Sequence, residues 1–364
     1  MRRLKILLYG DIDLNFMDGS AIWLTSIAQM LTQSKGIKVD LLLKAPEKTP
    51  QLISSVKNIS NLQLIAPYDF FPQEALSKDR LSVRDAAKLI EKLDVQNQYD
   101  IIILRGFALV EEIMHKRALQ SKTIPYITDF KHEEKNSTAV ERDALRAIYD
   151  YFPNMFLQTL ETKQTFQTLI GVSGEKIQIL YPMIPDYEIK RPIFSNRHNT
   201  LVYAGKFHED WHTEEIIAAA TVFKQEEVAI KFHIVGDKFQ DRLRERDKQL
   251  RIKDQLEKNE VIHWHGAVTR DRAQEIIAQS DVGIAWRSES LDNDDSVELS
   301  SKLLEYGRLG KPVLLRKTKM HTALLGEDYP LFVDDEEDFL EKAMTVLSDE
   351  RVYKKKFTYG LCSK

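Results

Sequence analysis

The stretch YPMIPDYEIKRPIFSNRHN, residues 181–199, decides the architecture. Its three prolines and charged, aperiodic run interrupt both strand and helix patterns, so it reads as a linker. On either side of it, short apolar runs alternate with longer amphipathic stretches. Upstream, strands are expected at Lys5–Tyr9, Val39–Leu43, Leu62–Ala66, Asp100–Leu104, Tyr126–Thr128 and Met155–Thr159, with helices over Ala21–Leu31 and residues 84–93. Downstream, strands are expected at Leu201–Ala204, Lys231–Val235, Val261–Trp264, Val282–Trp286, Val313–Leu315 and Leu331–Val333. Helices fall between them at Thr213–Phe223 and near 269–279, 299–309 and 335–348. Strands that are apolar on both sides and alternate with helices imply parallel sheets covered on both faces. The expected organisation is an α/β domain over 1–180, the linker at 181–199, a second α/β domain over 200–349 and a tail at 350–364.

Composition narrows the function. The chain has 364 residues, enough for two domains, and a formal net charge of −4. That balance excludes a generally basic nucleic-acid binder. The single cysteine, Cys362, excludes an internal disulfide framework and a cysteine-rich zinc site, and fits a reducing cytoplasm. The opening MRRLKILLYGD has too short an apolar run for an export signal. No window approaches a membrane-spanning length. Residues 241–260 carry 13 charges, with Leu243, Leu250 and Leu256 loosely on one side, and read as an exposed helix with a thin apolar stripe.

The chemistry concentrates in SVELSSKLLEYGRLGKPVLL, residues 296–315. A helix starting near 299 projects Glu298, Ser301, Lys302 and Glu305 from its first two turns. Free N–H groups and the positive dipole end make such a helix start an anion site. Ser301 and Lys302 add a hydroxyl and a point charge suited to phosphate. Glu305, one turn further in, suits a ribose diol. The plain alternative is a capped helix with surface charges.

The segment KLLEYGRLGKPV resembles the signature of retaining, nucleotide-sugar-dependent glycosyltransferases of group 1, or family four. LVYAGKF (201–207), FHIVGD (232–237) and VIHWHGAVTRDRAQEIIAQSDVGIAW (261–286) resemble further parts of that family's C-terminal domain. The resemblance is good from about 200 to 349 and weaker from 1 to 180. It implies the GT-B fold, two Rossmann-like domains facing each other across a cleft. It also implies sugar transfer from a nucleotide diphosphate sugar, a UDP-sugar favoured, to a hydroxyl acceptor with retention.

Carried over by position, Glu305 binds the donor ribose, and Ser301 and Lys302 contact the diphosphate. Lys206 stands where the family has arginine. A second family lysine is replaced by Glu209, Asp210, Trp211 and His212, which puts Arg287 or His212 forward as substitutes. The family's first carboxylate falls on Val297, so Glu298, one position off, is the candidate beside the sugar. In the N-terminal half, Asp18, Gly19 and Ser20 match the cleft loop, and Arg105 ends a strand there. His132, near Asp129 and Lys131, is the candidate cleft histidine and joins Glu298 as a catalytic residue. The resemblance implies no metal and no cofactor beyond the nucleotide sugar. Acceptors could be a glycan, a lipid-linked glycan or a protein glycan, in the service of surface polysaccharide or other glycan synthesis.

Other classes are less well supported. Asp11/Asp13 and Asp292/Asp294 have Asp-x-Asp spacing but lack the context of a metal-dependent transferase. No nicotinamide-binding, Walker or hydrolase-elbow motif occurs. His263 and His265 share one face of a strand and could bind a metal, but no carboxylate or cysteine pattern completes that site. The departures at 208–212 and at 297 motivate one rival: an inactive, transferase-like partner or chaperone of an active subunit. The tail, RVYKKKFTYGLCSK, carries five basic residues and interleaved aromatics. It suits either a solvated helix end or peripheral contact with anionic lipid at the inner membrane face.

Overall fold

The computed structural model describes residues 2–69, 80–132, 136–184, 199–297 and 299–354. The chain divides into two compact units, Met1–Pro185 and Asp186–Lys364. Most of the linker stretch, residues 185–198, lies outside the described residues, as do Glu298 and the tail beyond 354 with Cys362.

The N-terminal unit runs β1 (Leu4–Gly10), α1 (Gly19–Thr32), β2 (Ile37–Leu42), α2 (Ser54–Lys57), β3 (Leu62–Ile65), α3 (Val83–Asn97), β4 (Ile101–Arg105), α4 (Phe107–Ile113), β5 (Thr123–Tyr126), α5 (Ala139–Tyr151), β6 (Met155–Leu157), α6 (Leu160–Ile170) and β7 (Ile177–Ile179). Its seven strands lie in the order β3-β2-β1-β4-β5-β6-β7, all parallel. The alternation along β1 explains the two-sided core. Leu7 and Tyr9 pack into one apolar cluster with Ile102 and Leu104. Ile6 and Leu8 pack into another with Val39, Leu41 and Ile103. A strand buried on both faces reads as a continuous apolar run.

The C-terminal unit runs β8 (Thr200–Ala204), α7 (Thr213–Gln225), β9 (Lys231–Val235), α8 (Arg246–Lys258), β10 (Ile262–Gly266), α9 (Arg270–Gln279), β11 (Val282–Ile284), α10 (Ser301–Arg308), β12 (Val313–Leu314), α11 (Lys319–Leu325), α12 (Glu336–Ser348) and α13 (Glu350–Lys354). The strands lie in the order β10-β9-β8-β11-β12, again all parallel. Each unit therefore reverses its winding once: between β1 and β4 in the first, between β8 and β11 in the second. Ligands of such sheets bind beyond the strand carboxyl ends at that reversal.

Three sequence expectations are corrected. β5 is Thr123–Tyr126 rather than Tyr126–Thr128: the strand starts earlier and runs extended through Pro125. Leu331–Val333 is not a strand; it meets the sheet only through a bridge between Leu315 and Phe332. In the charged stretch Leu256 is buried as the stripe expected, but Leu250 is exposed and α8 buries Ile252 in its place. Leu243 precedes the helix and is buried. Among the described residues no helix is long and apolar enough to cross a membrane.

Candidate functional site

In the C-terminal unit, β8 ends at Ala204 and hands the chain to Gly205 and Lys206. Lys302, on the first turn of α10, lies directly against Gly205. A β-carbon on Gly205 would stand 2.5 Å from Lys302 Cε and 2.8 Å from its Nζ. Gly236, after β9, closes the other side. A β-carbon there would stand 2.0 Å from the Gly205 carbonyl oxygen, and its φ of +131° also favours glycine. These two close approaches explain the glycines of AGK and VGD.

Lys302 Nζ stands 4.7 Å from the centre of the Tyr203 ring and 4.1 Å from that of Trp211. Lys206 Nζ stands 4.2 Å from the same Trp211 ring. One indole thus seats two ammonium groups, an arrangement that ring quadrupoles favour. Burial pushes the Lys302 pKa down to about 7, and the charges of Arg287 and Lys206 add to that, against Glu305 and Asp292. Three cations are therefore gathered at the winding reversal, one of them poised to lose its proton. A polyanion placed among them would favour the charged lysine.

Arg287 is held in a two-pronged ion pair with the buried Asp292. The loop after β11 is also hooked to the turn before α7. Ser288 and Ser290 each donate to an Asp210 carboxylate oxygen at 2.8 Å. Burial works against ionisation of Asp210, yet these hydroxyls, together with His208 and His212, lower its pKa. The 208–212 stretch, read from sequence as the loss of a lysine, instead supplies the Trp211 platform and an anchor for the Arg287 loop. His212 stacks on Trp286 with ring centres 4.1 Å apart.

Seven helices take a side-chain cap from their own sequence: Asp18, Ser82, Thr138, Thr159, Thr269, Thr318 and Asp335. α10, like α2, α4, α7 and α8, has none: the Ser300 hydroxyl makes no cap hydrogen bond, and the helix carries no acid in its first turn. Ser301 and Lys302 open this helix. Glu305 lies deeper, 9% exposed, and its Oε2 accepts from Gln274 at 2.6 Å while Arg270 stands 3.8 Å from Oε1. Burial raises its pKa, with Arg270 and Gln274 opposing. Two α9 side chains thereby fix this carboxylate.

The N-terminal reversal is built differently. Arg105, at the end of β4, donates to Ser20 Oγ at 3.0 Å and to Thr128 Oγ1 at 3.2 Å. Its guanidinium lies 5.0 Å from the Trp23 ring centre and 5.5 Å from that of Tyr126, and those rings stack at 4.5 Å. Asp18 caps α1, accepting from the Ser20 and Ala21 amides at 3.1 and 3.0 Å. Gly19 is the first residue of α1. His132 stands edge-on to Phe130, which packs edge-on to Phe166. Asp129 accepts from the Phe107 amide at the start of α4, and the Lys131 amide donates to Glu141. Both Asp-x-Asp pairs are engaged: Asp11 with Lys44, Asp13 with Asn15, Asp292 with Arg287, and Asp294 with the Lys319 amide.

The structure thus brings Lys206, Arg287 and Lys302 together, places Ser301 on the same helix turn, and joins Ser20 to Arg105. Trp211, Tyr203, Trp23, Tyr126 and Thr128 escaped the sequence reading. Aromatic residues next to a glycine or a strand end were the available signal.

Two parallel doubly wound α/β units with these sites define the fold of the GT-B glycosyltransferases. Residues 198–349 match the family model Glycosyl transferases group 1. The chain is similar in structure to Anabaena Alr3699/HepE, solved with UDP and glucose (TM-score 0.67, 12% identity, 97% of this chain and 92% of that one). It is also similar to an S. aureus TarM G117R mutant, solved with Fondaparinux, alpha-GlcNAc-glycerol and UDP (TM-score 0.65, 9% identity, 98% and 94%). The UDP-GlcNAc 2-epimerase from Neisseria meningitidis bound to UDP-GlcNAc shares the fold too (TM-score 0.59, 12% identity, 97% and 94%). No curated protein matches the sequence.

Proposed function

We propose that the chain transfers a sugar from a nucleotide diphosphate sugar, a UDP-sugar favoured, to a hydroxyl of a glycan, lipid-linked or protein-linked acceptor, with retention at the anomeric carbon. The observation that carries the reading is the gathering of Lys206, Arg287 and Lys302 at the start of a helix whose capping serine makes no cap bond. An epimerase shares this fold, so the choice of transfer rests on the family match over 198–349.

Departure of a diphosphate needs its developing charge stabilised by fixed donors. Here the α10 amides, Ser301, Lys302 and Lys206 fill that role, and no metal is required. Glu305 orients the ribose. Glu298 and His132 serve the sugar. The bond from the anomeric carbon to the diphosphate oxygen breaks, and a bond to the acceptor oxygen forms on the same face. The acceptor proton passes to the departing phosphate oxygen. Ser20 and Arg105, with Asp18 and Gly19 shaping the loop, belong to the acceptor side.

The test is calorimetric titration with UDP, GDP and ADP, followed by a screen of nucleotide sugars for turnover and by NMR of the product anomer. One diphosphate is expected to bind, its sugar to be consumed, and the product to keep the donor's anomeric configuration. EDTA is expected to leave turnover within about twofold, since lysines and helix amides take the place of a metal. Failure of all three nucleotides to bind would leave the chain as a partner subunit.

A further inference from the structure

We propose that His233, His263 and His265 form a binding site for one divalent transition-metal ion of the zinc class on the edge of the C-terminal sheet. Residues two apart in a strand share a face, which puts His263 and His265 side by side on β10. The parallel register pairs His263 with His233 of β9. The third imidazole is therefore thirty residues upstream in sequence but adjacent in space, which is why the pair looked incomplete in the sequence.

One ring nitrogen from each histidine lies within 4.8 Å of the other two. The His263 and His265 rings stack at 4.3 Å, and His233 Nδ1 is 3.0 Å from His265 Nε2. Nitrogens bound tetrahedrally to zinc at about 2.0–2.1 Å stand about 3.3 Å apart. His233 Nδ1 and His265 Nε2 now share a hydrogen bond, and an ion would take the place of its proton with a small widening of the pair. His263 is the exposed member of the set, so its side chain has room to turn toward a shared ion.

Burial, His263, His233 and Arg272 hold His265 down to about 4. Burial, His263 and Lys231 lower His233, against Asp281. An all-imidazole set selects zinc, copper, nickel or cobalt over magnesium and calcium. The ion would tie the edge strand β10 to β9. That strand also supports the glycine loop: the Trp264 indole donates to the Gly236 carbonyl at 2.8 Å, and the Gly236 amide to the Gly266 carbonyl at 2.9 Å.

The experiment uses untagged, chelator-stripped full chain, titrated with Zn2+ by calorimetry and with Co2+ by absorbance. One ion per chain is expected, with tetrahedral-type Co2+ bands and a Tm that rises with Zn2+. His263→Ala and His265→Gln should each weaken binding by about 100-fold or more, at least the scale seen for supporting residues of metal sites. His263→Ala alters an exposed side chain, so an unchanged far-UV spectrum keeps that result interpretable. His115→Gln should bind as the parent does. Absence of Zn2+ and Co2+ binding, or binding that survives the double substitution, would overturn the proposal.

Discussion

The two units solve the same topological problem at their winding reversals and leave opposite results. At the N-terminal reversal the helix start is satisfied internally: the Asp18 carboxylate occupies the anion position of α1. The neighbouring cation, Arg105, is held by two hydroxyls and an aromatic stack. At the C-terminal reversal α10 has no side-chain cap from Ser300, and lysine charges crowd around Trp211. The first arrangement is complete as it stands. The second leaves the α10 start without a bond from its capping serine. The same doubly wound order thus yields a helix start capped by its own carboxylate in one unit and lysine charges clustered on one indole in the other.

The largest break in this comparison comes from Lys302. Lys302→Met keeps most of the aliphatic stem and removes the charge. Turnover should fall by about 10²-fold or more, as for loss of an oxyanion donor. Because that charge is buried beside like charges, the same variant should gain about 2–4 °C in Tm, the shift expected for ~1 kcal/mol in a domain of this size. Activity and calorimetry on one preparation check both. A variant that lost stability and kept turnover would erase the contrast between the units.

A pH series sharpens it. The Lys302 pKa is about 7 in the free site. A bound diphosphate raises it. Below pH 7 the lysine is charged in both states and adds no slope. Above pH 7 binding takes up a proton, so Kd should rise by up to about tenfold per pH unit. A nucleotide sugar is the right probe, since its diphosphate diester does not titrate there. The slope should vanish in Lys302→Met.

Much of the fold was legible in the sequence because buried parallel strands announce themselves as apolar runs. β1, β8 and β9 lie where Lys5–Tyr9, Leu201–Ala204 and Lys231–Val235 were expected. β7, three residues of mixed polarity, gives no such run. β5 starts earlier than expected and runs through Pro125. At the site, the types and positions of Lys206, Lys302 and Ser301 were readable. The role of Trp211 was not. A departure from a family pattern tells which residue is missing and not where its replacement points. Likewise Asp18 was readable as a loop residue beside a helix. Only the two amide bonds show that its carboxylate is spent on capping.

Trp211→Leu should give a smaller effect than Lys302→Met. The indole seats two ammonium groups, each worth ~0.5–2 kcal/mol. Its loss leaves both charges in place but frees their positions. Nucleotide affinity should drop by several-fold to about tenfold, read by calorimetry, and Tm should fall by about 2 °C or more, since two such contacts are lost. An unaltered Kd would mean that the lysines are positioned by Gly205 and Tyr203 alone.

Asp18→Ala tests the other side of the comparison. Loss of an aspartate cap costs about 0.5–2 kcal/mol. Urea unfolding followed by a probe in the N-terminal unit should show that loss. Donor affinity should stay within about twofold of the parent. The variant is the mirror of Lys302→Met: one removes the anion that completes a helix start and weakens the fold. The other removes a cation waiting for an anion and strengthens it at the expense of binding. Should Asp18→Ala weaken nucleotide binding as strongly as Lys302→Met, the carboxylate would belong to the donor site, and the two reversals would not differ in kind.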